Sequence, residues 1–392
     1  MRTPPLRHGR LLACLLLAAL CGVAQAQASA ARPIKVGALS ALSGPTAFPE
    51  APRAAKAYFD AVNAAGGVHG RRIEYLSLDE MPDLASAARA AERLLSDPEV
   101  VALAGGSGLL DCAANAQRYA AADLMVLQGA SVAPQCFSTS HIVPVNNGPY
   151  TGLASALLFA RQQLGSPQPC IAMLDLPGMR AGYQQALDQL ARQTGQVSPP
   201  LRAVGLQDDP REALREFERQ GCRSIVFTGH EAAVPAWLQA ARSLGLRDRQ
   251  WLFLTPAYTS ALARSLPTDL GPVYVMAEFE PWSGSSLPLL DWKRLMRQAG
   301  LPASSLSQGG YLAAQHLVKV LMGLKGPITR ASVSEALRQH PPLSHPMLGM
   351  PLAIGRAGAH NPNRSALPMQ LIDGAWRVAA TQWIQVPASA SP

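Results

Sequence analysis

The feature that most constrains this chain is a strict alternation of short apolar runs with helical periodicity, beginning at residue 33. An apolar run at Ile34–Leu39 leads into Ser43-Gly44-Pro45, then into a stretch whose Ala55, Tyr58, Phe59 and Val62 share one helical face. Gly66-Gly67 stops that helix, because glycine takes the left-handed turn that ends helices. A second apolar run follows at Arg72–Leu76. Such a unit lays a crossover helix against a parallel sheet. The rhythm repeats: Asp83 is placed to cap a helix over Leu84–Leu95, and strands are expected at Val100–Ala104 and Leu124–Leu127. Four parallel strands with intervening helices make one doubly wound lobe. The alternation restarts with a helix near Thr151–Gln163 and strands at Cys170–Leu174, Leu201–Val204, Ser224–Thr228, Trp251–Leu254 and Val273–Met276. Helices are expected at Leu287–Gln298, Gly309–Leu324 and Ser332–Gln339, with short β segments at 348–354 and 370–376. A chain of 392 residues is too long for one ordinary core, so two similar α/β lobes fit its length.

The first residues read differently. Arg2, Arg7 and Arg10 precede the apolar stretch Leu11–Leu20, and Ala24-Gln25-Ala26 offers small residues at a cleavage point. Residues 1–26 therefore read as a secretory signal peptide, too short in its apolar part to span a bilayer. Cys21 invites a lipoprotein reading, but Leu20 stands where a small residue would be needed. Removal of residues 1–26 takes away three arginines and no acids, so the formal charge falls from +8 to +5. No basic tract is interleaved with aromatics, which argues against nucleic acid as a partner. Cys112, Cys136, Cys170 and Cys222 remain, an even number in an oxidising compartment. Local order favours the pairs Cys112–Cys136 and Cys170–Cys222, each worth roughly 3–4 kcal/mol by loop-closure arithmetic; the alternative is four buried free thiols. No close CxxC spacing suggests a metal, and nothing in the sequence calls for a cofactor.

The loop wording is more specific. Ser43-Gly44-Pro45, the run Asn63-Ala-Ala-Gly-Gly-Val-His-Gly70, Gln239–Leu246 (QAARSLGL), Gly309–Lys325 and the tail LGMPLAIGRAG…IDGAWRV resemble the periplasmic solute-binding proteins of the branched-chain amino acid (Leu/Ile/Val-binding) type, over Pro33–Gln385. The resemblance implies an α/β periplasmic binding protein type I fold: two doubly wound parallel-sheet lobes joined by a three-segment hinge. It implies a lobe one of residues 33–145 with 280–340, a lobe two of 146–279 with 341–386, and a tail at 387–392. Pro144–Tyr150 and Glu278–Ser283 are assigned to two of the crossings. The implied function is the extracytoplasmic, periplasmic subunit of an ABC importer, a monomer that binds a small organic ligand and presents it to permease and ATPase subunits.

In open parallel sheets ligands gather beyond the carboxyl ends of the strands. That rule selects Phe48, Ser107, Gly108, Leu109, Ala130 and Ser131 in lobe one, and Arg180, His230, Glu231 and Tyr258 in lobe two. The Gly105-Gly106-Ser107-Gly108 loop either cradles an anion at the next helix's free N–H groups or only turns the chain tightly; the resemblance favours binding. Relatives of this type usually carry Ser or Thr at Leu109, Tyr near Met179 or Arg180, and an acid for an ammonium at Ala257. This chain keeps Ala130-Ser131 but departs at the others, so the expected ligand is a carboxylate or a neutral molecule. Arg180 is then a second anion contact, with Glu231 or Glu278 as substitutes for the missing acid. A hydrolase is the rival from another class, but there is no G-x-S-x-G elbow, H-E-x-x-H or Walker A loop, and His69, His141, His230 and His316 are scattered. A ligand-sensing receptor on the same fold is the other rival.

Overall fold

The computed structural model describes residues 32–387 apart from 45, 46, 81, 177, 268, 270 and 355–362. The expected signal peptide and the tail beyond 387 lie outside the described residues. The first lobe opens with β1 (Ile34–Ser40), α1 (Glu50–Ala64), β2 (Ile73–Asp79), α2 (Leu84–Leu95), β3 (Val100–Ala104), α3 (Asp111–Ala121), β4 (Val126–Gln128) and β5 (Ile142–Pro144). All five strands are parallel, in the order β2-β1-β3-β4-β5. Helix α1 buries Ala51, Ala54, Ala55 and Phe59 against them. Gly66 and Gly67 follow it at φ 105° and 75°. A side chain at Gly67 would run into the Arg71 carbonyl, so the turn folds back tightly. Asn63 then takes both the N–H (2.7 Å) and the carbonyl (2.8 Å) of Ile73, which hands the chain from α1 into β2. Asp83 caps α2 by accepting the Ser86 N–H at 2.7 Å.

The second lobe contains α4 (Gly148–Gln162), β6 (Cys170–Leu174), α5 (Arg180–Thr194), β7 (Leu201–Val204), α6 (Pro210–Arg219), β8 (Ser224–Phe227), α7 (Val234–Ser243), β9 (Gln250–Phe253), α8 (Ser260–Ser265) and β10 (Val273–Ala277). Its parallel strands run β7-β6-β8-β9-β10. Helices α9 (Leu287–Gln298), α10 (Ser305–Gly323) and α11 (Arg330–Gln339) return to the first core, where Trp292, Tyr311, Leu317 and Leu337 are buried with Phe59 and Val101. Leu343, Met347, Leu348, Leu352 and Ile354 bury in that same core. The boundary expected at residue 341 therefore falls too early, and residues 343–354 carry isolated bridge residues, Leu343 paired with Leu352 among them, rather than strands. The chain crosses again before β11 (Ser365–Ile372), which pairs antiparallel with β10 and carries β12 (Ala375–Val378) and β13 (Ile384–Gln385) antiparallel beside it. The second sheet is thus a parallel sheet extended by an antiparallel edge.

Both cysteine pairs are joined. Cys112 in α3 bonds Cys136 in the turn after β4, with Cα atoms 5.2 Å apart. Cys170 bonds Cys222 across the start of neighbouring strands, with Cα atoms 5.8 Å apart. One packing detail positions the site. Gly309 and Gly310 bring the backbone of α10 against Gly129 and Ala51, where a side chain at either would lie 1.9 Å from a carbonyl oxygen. A long helix therefore backs directly onto the loop that follows β4.

Candidate ligand cleft

The loops after β1, β3 and β4 gather at one end of lobe one, and those after β6, β8 and β9 at the matching end of lobe two. The loop at 105–110 corrects the sequence reading. The N–H groups at the start of α3 are not free for an anion. Glu80, the residue after β2, is fully buried, and its carboxylate accepts the N–H groups of Leu109, Leu110 (3.1 Å) and Asp111 (2.8 Å). The chain supplies its own anion at the positive end of the helix. Asp111, also buried, accepts from Asn115 Nδ2 (2.9 Å), the Tyr119 hydroxyl (2.6 Å) and Gln128 Nε2 (2.8 Å). Burial, then the neighbouring Asp111 charge, pushes the Glu80 carboxyl up to about 7 against the pull of its three N–H donors. Burial likewise raises Asp111. Gly108 is hemmed in by Glu80 and Asp111. Gly108 and Leu109 thus serve Glu80. The signal in the sequence was the acidic pair Asp79-Glu80 at the end of a strand.

Ser107 is also spent internally. Its hydroxyl donates to the Phe48 carbonyl at 2.6 Å and its N–H to Ser40 Oγ at 3.0 Å, so it joins the loops after β1 and β3. Phe48 stays half-buried beside it. Ser131 differs. Its backbone is locked in a pair of bonds with Asn146, N–H to Oδ1 at 2.8 Å and Nδ2 to carbonyl at 3.0 Å. Its own hydroxyl, buried at the carboxyl end of β4, has no partner among the described residues. Ala130 next to it is half-buried, its N–H held by the Gly106 carbonyl at 3.1 Å.

In lobe two, Arg180 begins α5 with its side chain 65% exposed and its guanidinium paired with Asp175, just beyond β6. It is a solvent-facing ion pair in this arrangement. Glu231 accepts the Thr259 hydroxyl at 2.6 Å, and Thr259 in turn caps α8 through the Leu262 N–H at 3.0 Å. His230 is half-buried beside Glu231. Ala257 is fully buried, so no acid can be presented at that position. Tyr258 is not an open wall: it is 1% exposed and lies face to face with Trp282, ring centroids 3.7 Å apart and planes 8° from parallel. Trp282 belongs to the second crossing and packs against both lobe cores. Sequence reading missed it, although Pro281-Trp282 stands within the segment assigned to that crossing.

Glu278, considered from sequence as a substitute ligand acid, sits in the hinge instead. It follows β10, is 5% exposed, and accepts the Asn147 N–H at 3.0 Å and the Gly148 N–H, at the start of α4. Burial pushes its carboxyl up to about 7 against those two donors. Asn363 Nδ2 donates to the Glu278 carbonyl at 2.6 Å, and Asn147 Nδ2 to the Ser365 carbonyl at 3.0 Å. A separate cavity of about 520 Å³ lies between α1, α10 and residues 343–345, lined by Tyr58, Val62, His316, Lys319 and His345 among others. It is at the end of α1 where β2 begins, away from the loops just described.

The comparisons agree with this architecture. A family model described as periplasmic binding protein matches residues 33–375. No curated protein matches the chain significantly. Among solved structures, a possible leucine/isoleucine/valine-binding protein from Rhodopirellula baltica superposes with TM-score 0.71 at 19% identity, covering 91% of this chain and 98% of its own. A leucine-binding protein from Thermotoga maritima gives TM-score 0.71 at 17% identity, covering 90% and 99%. A fatty acid ABC transporter substrate-binding protein from Thermomonospora curvata gives 0.74 at 17%, covering 91% and 93%. At these identities the structural matches speak for the fold, while the family model spans most of the sequence. The chain belongs to the periplasmic binding protein family.

Proposed function

We propose that this protein is the extracytoplasmic solute-binding subunit of an ABC importer, delivering a small organic molecule to a permease. It would hold that molecule between the loop ends of its two sheets, by the hinge closure that such two-lobed proteins use. The observation that carries the reading of the ligand is the Ser131 hydroxyl, buried at the end of β4 and without a partner among the described residues. A buried hydroxyl left unbonded costs free energy, and a ligand acceptor or donor would recover it. The ligand's head is neutral or carries one polar group, because the amide donors at the start of α3 already hold Glu80. Its body is apolar, set against the half-buried Phe48 and Trp282. A free amino acid is disfavoured: its ammonium would need an acid, position 257 is alanine, and Glu231 is bonded to Thr259.

A thermal-shift screen of the mature protein tests this, since a ligand that binds only the folded chain raises the melting temperature by mass action. Neutral amides and aliphatic or aromatic monocarboxylates are expected to stabilise it, and leucine is expected to do little. Tight leucine binding would overturn the ligand class. No stabilisation by any organic solute would overturn the carrier reading.

A further inference from the structure

All three crossings between the lobes meet at one buried residue, Glu278. The first crossing contributes the N–H groups of Asn147 and Gly148 to Glu278. Glu278 belongs to the second crossing, and the third is joined to it through Asn363 Nδ2 and the Glu278 carbonyl. Asn147 closes the triangle by donating to Ser365, and Ser365 returns its N–H (3.1 Å) and hydroxyl to Asn363 Oδ1. One residue earlier, Asn146 holds the backbone of Ser131 from both sides. A continuous set of buried hydrogen bonds and one peptide link thus runs from a candidate ligand contact through all three crossings.

We infer that Glu278 is the positioning residue of the hinge: its buried carboxyl joins the first two crossings, its backbone carbonyl holds the third, and ionisation of the carboxyl loosens the joint. The physical reason is local. The two N–H donors at the first turn of α4 favour the charge, but they recover less than burial costs it, so the ionised carboxyl gains by opening to water. Rotation of one lobe against the other must twist backbone at 145–148, 278–286 and 363–365, and those bonds resist it. The charged residues flanking the knot are accounted for. Glu280 is bonded by the hydroxyl and N–H of Ser286, and neither it nor Arg364 is among the groups that shift Glu278. From α10, the side facing the crossing is the neutral amide of Gln308, on the Glu280 carbonyl at 2.8 Å. The inference needs two lobes and three crossings but not the ligand proposed above, so the two can fail separately.

The experiment uses the ligand-free mature chain. Hydrogen exchange at Asn147 and Gly148, corrected for intrinsic rates, is expected to be faster at pH 8 than at pH 6 by roughly threefold or more. Small-angle scattering should report a different lobe separation at the two pH values. Glu278→Gln should remove both responses, while Glu80→Gln, a buried carboxylate within one lobe, should leave them in place. Should Glu278→Gln not fold, Glu278→Asp keeps the charge and should retain a pH response with a displaced midpoint. Equal protection and equal scattering at both pH values in the wild type would overturn the inference, as would a response that survives in Glu278→Gln.

Discussion

Glu80 and Glu278 make the same chemical arrangement in two places, and the difference lies in what each carboxylate joins. Both are buried, both sit at the N-terminus of a helix, and both are pushed up to about 7 mainly by burial. Glu80 bonds three successive N–H groups of one loop and helix within lobe one. Glu278 bonds chain segments that belong to different crossings, 131 positions apart. The first arrangement seals a surface that would otherwise attract an anion. The second places a proton-sensitive joint where the molecule bends. A helix N-terminus is therefore a site only when the chain has not already filled it.

Removing each carboxylate is the largest test of that contrast. Glu80→Ala leaves three buried N–H groups unpaired, at roughly 1–3 kcal/mol each before any water enters. It should unfold lobe one several kcal/mol more easily in denaturant. Glu278→Ala frees two N–H groups, so its stability loss should be smaller, about 2 kcal/mol or more, while its effect on lobe separation should be greater. If Glu80→Ala altered lobe separation as much as Glu278→Ala, the contrast would fail.

The pH dependence is the next smaller effect. A carboxyl whose folded pKa lies above its unfolded value stabilises the fold at low pH, and that contribution is lost as pH rises through the folded value. For Glu80 and Glu278 the loss runs from about 4.5 to about 7. His316 and His345 work the other way, since burial holds them near 3 and 4, and folding loses stability as pH falls below 6.5. Between pH 8 and pH 6.5 the glutamates should dominate. The melting temperature should rise on going from pH 8 to 6.5, by about 1 kcal/mol of stability per glutamate. Glu80→Gln and Glu278→Gln should each flatten part of that rise. A wild-type melting temperature that falls over this interval would show that neither carboxyl titrates there.

These joints were the illegible part of the sequence, and the reason is distance along the chain. Strands such as Cys170–Leu174 and the Asp83 cap follow from patterns within a few turns, and the disulfides from each cysteine's place beside a strand or helix, so they could be read directly. Ile142–Pro144 could not: three residues ending in proline carry no alternation, and only the neighbouring β4 makes them a strand. The antiparallel edge formed by β11 was hidden for a similar reason, because its partner β10 is far back in the sequence. At the cleft, position was legible and occupancy was not. Ser107 and Leu109 do lie at strand ends, but their polar groups are taken by Phe48 and Glu80, which no local period reveals. Trp282 escaped notice because a lone tryptophan in a linker has no pattern until Tyr258 lies beneath it.

The smallest expected change in stability is also the sharpest test of which polar groups at the cleft remain available. Ser131→Ala removes a hydroxyl that bonds nothing among the described residues, and leaves the backbone pair with Asn146 intact. Its stability should stay within about 0.5 kcal/mol of the wild type, or improve slightly, because an unpaired buried hydroxyl is removed and only a hydrogen takes its place. Ser107→Ala should behave oppositely, costing about 1 kcal/mol through loss of the bond to Phe48. Affinity for whatever solute stabilises the wild type should then separate them. Ser131→Ala should weaken binding about tenfold, the worth of one buried hydrogen bond, and Ser107→Ala should change it much less. Equal losses of affinity in both would mean that the loop after β3 faces the ligand after all, and that Glu80 moves aside when the ligand arrives.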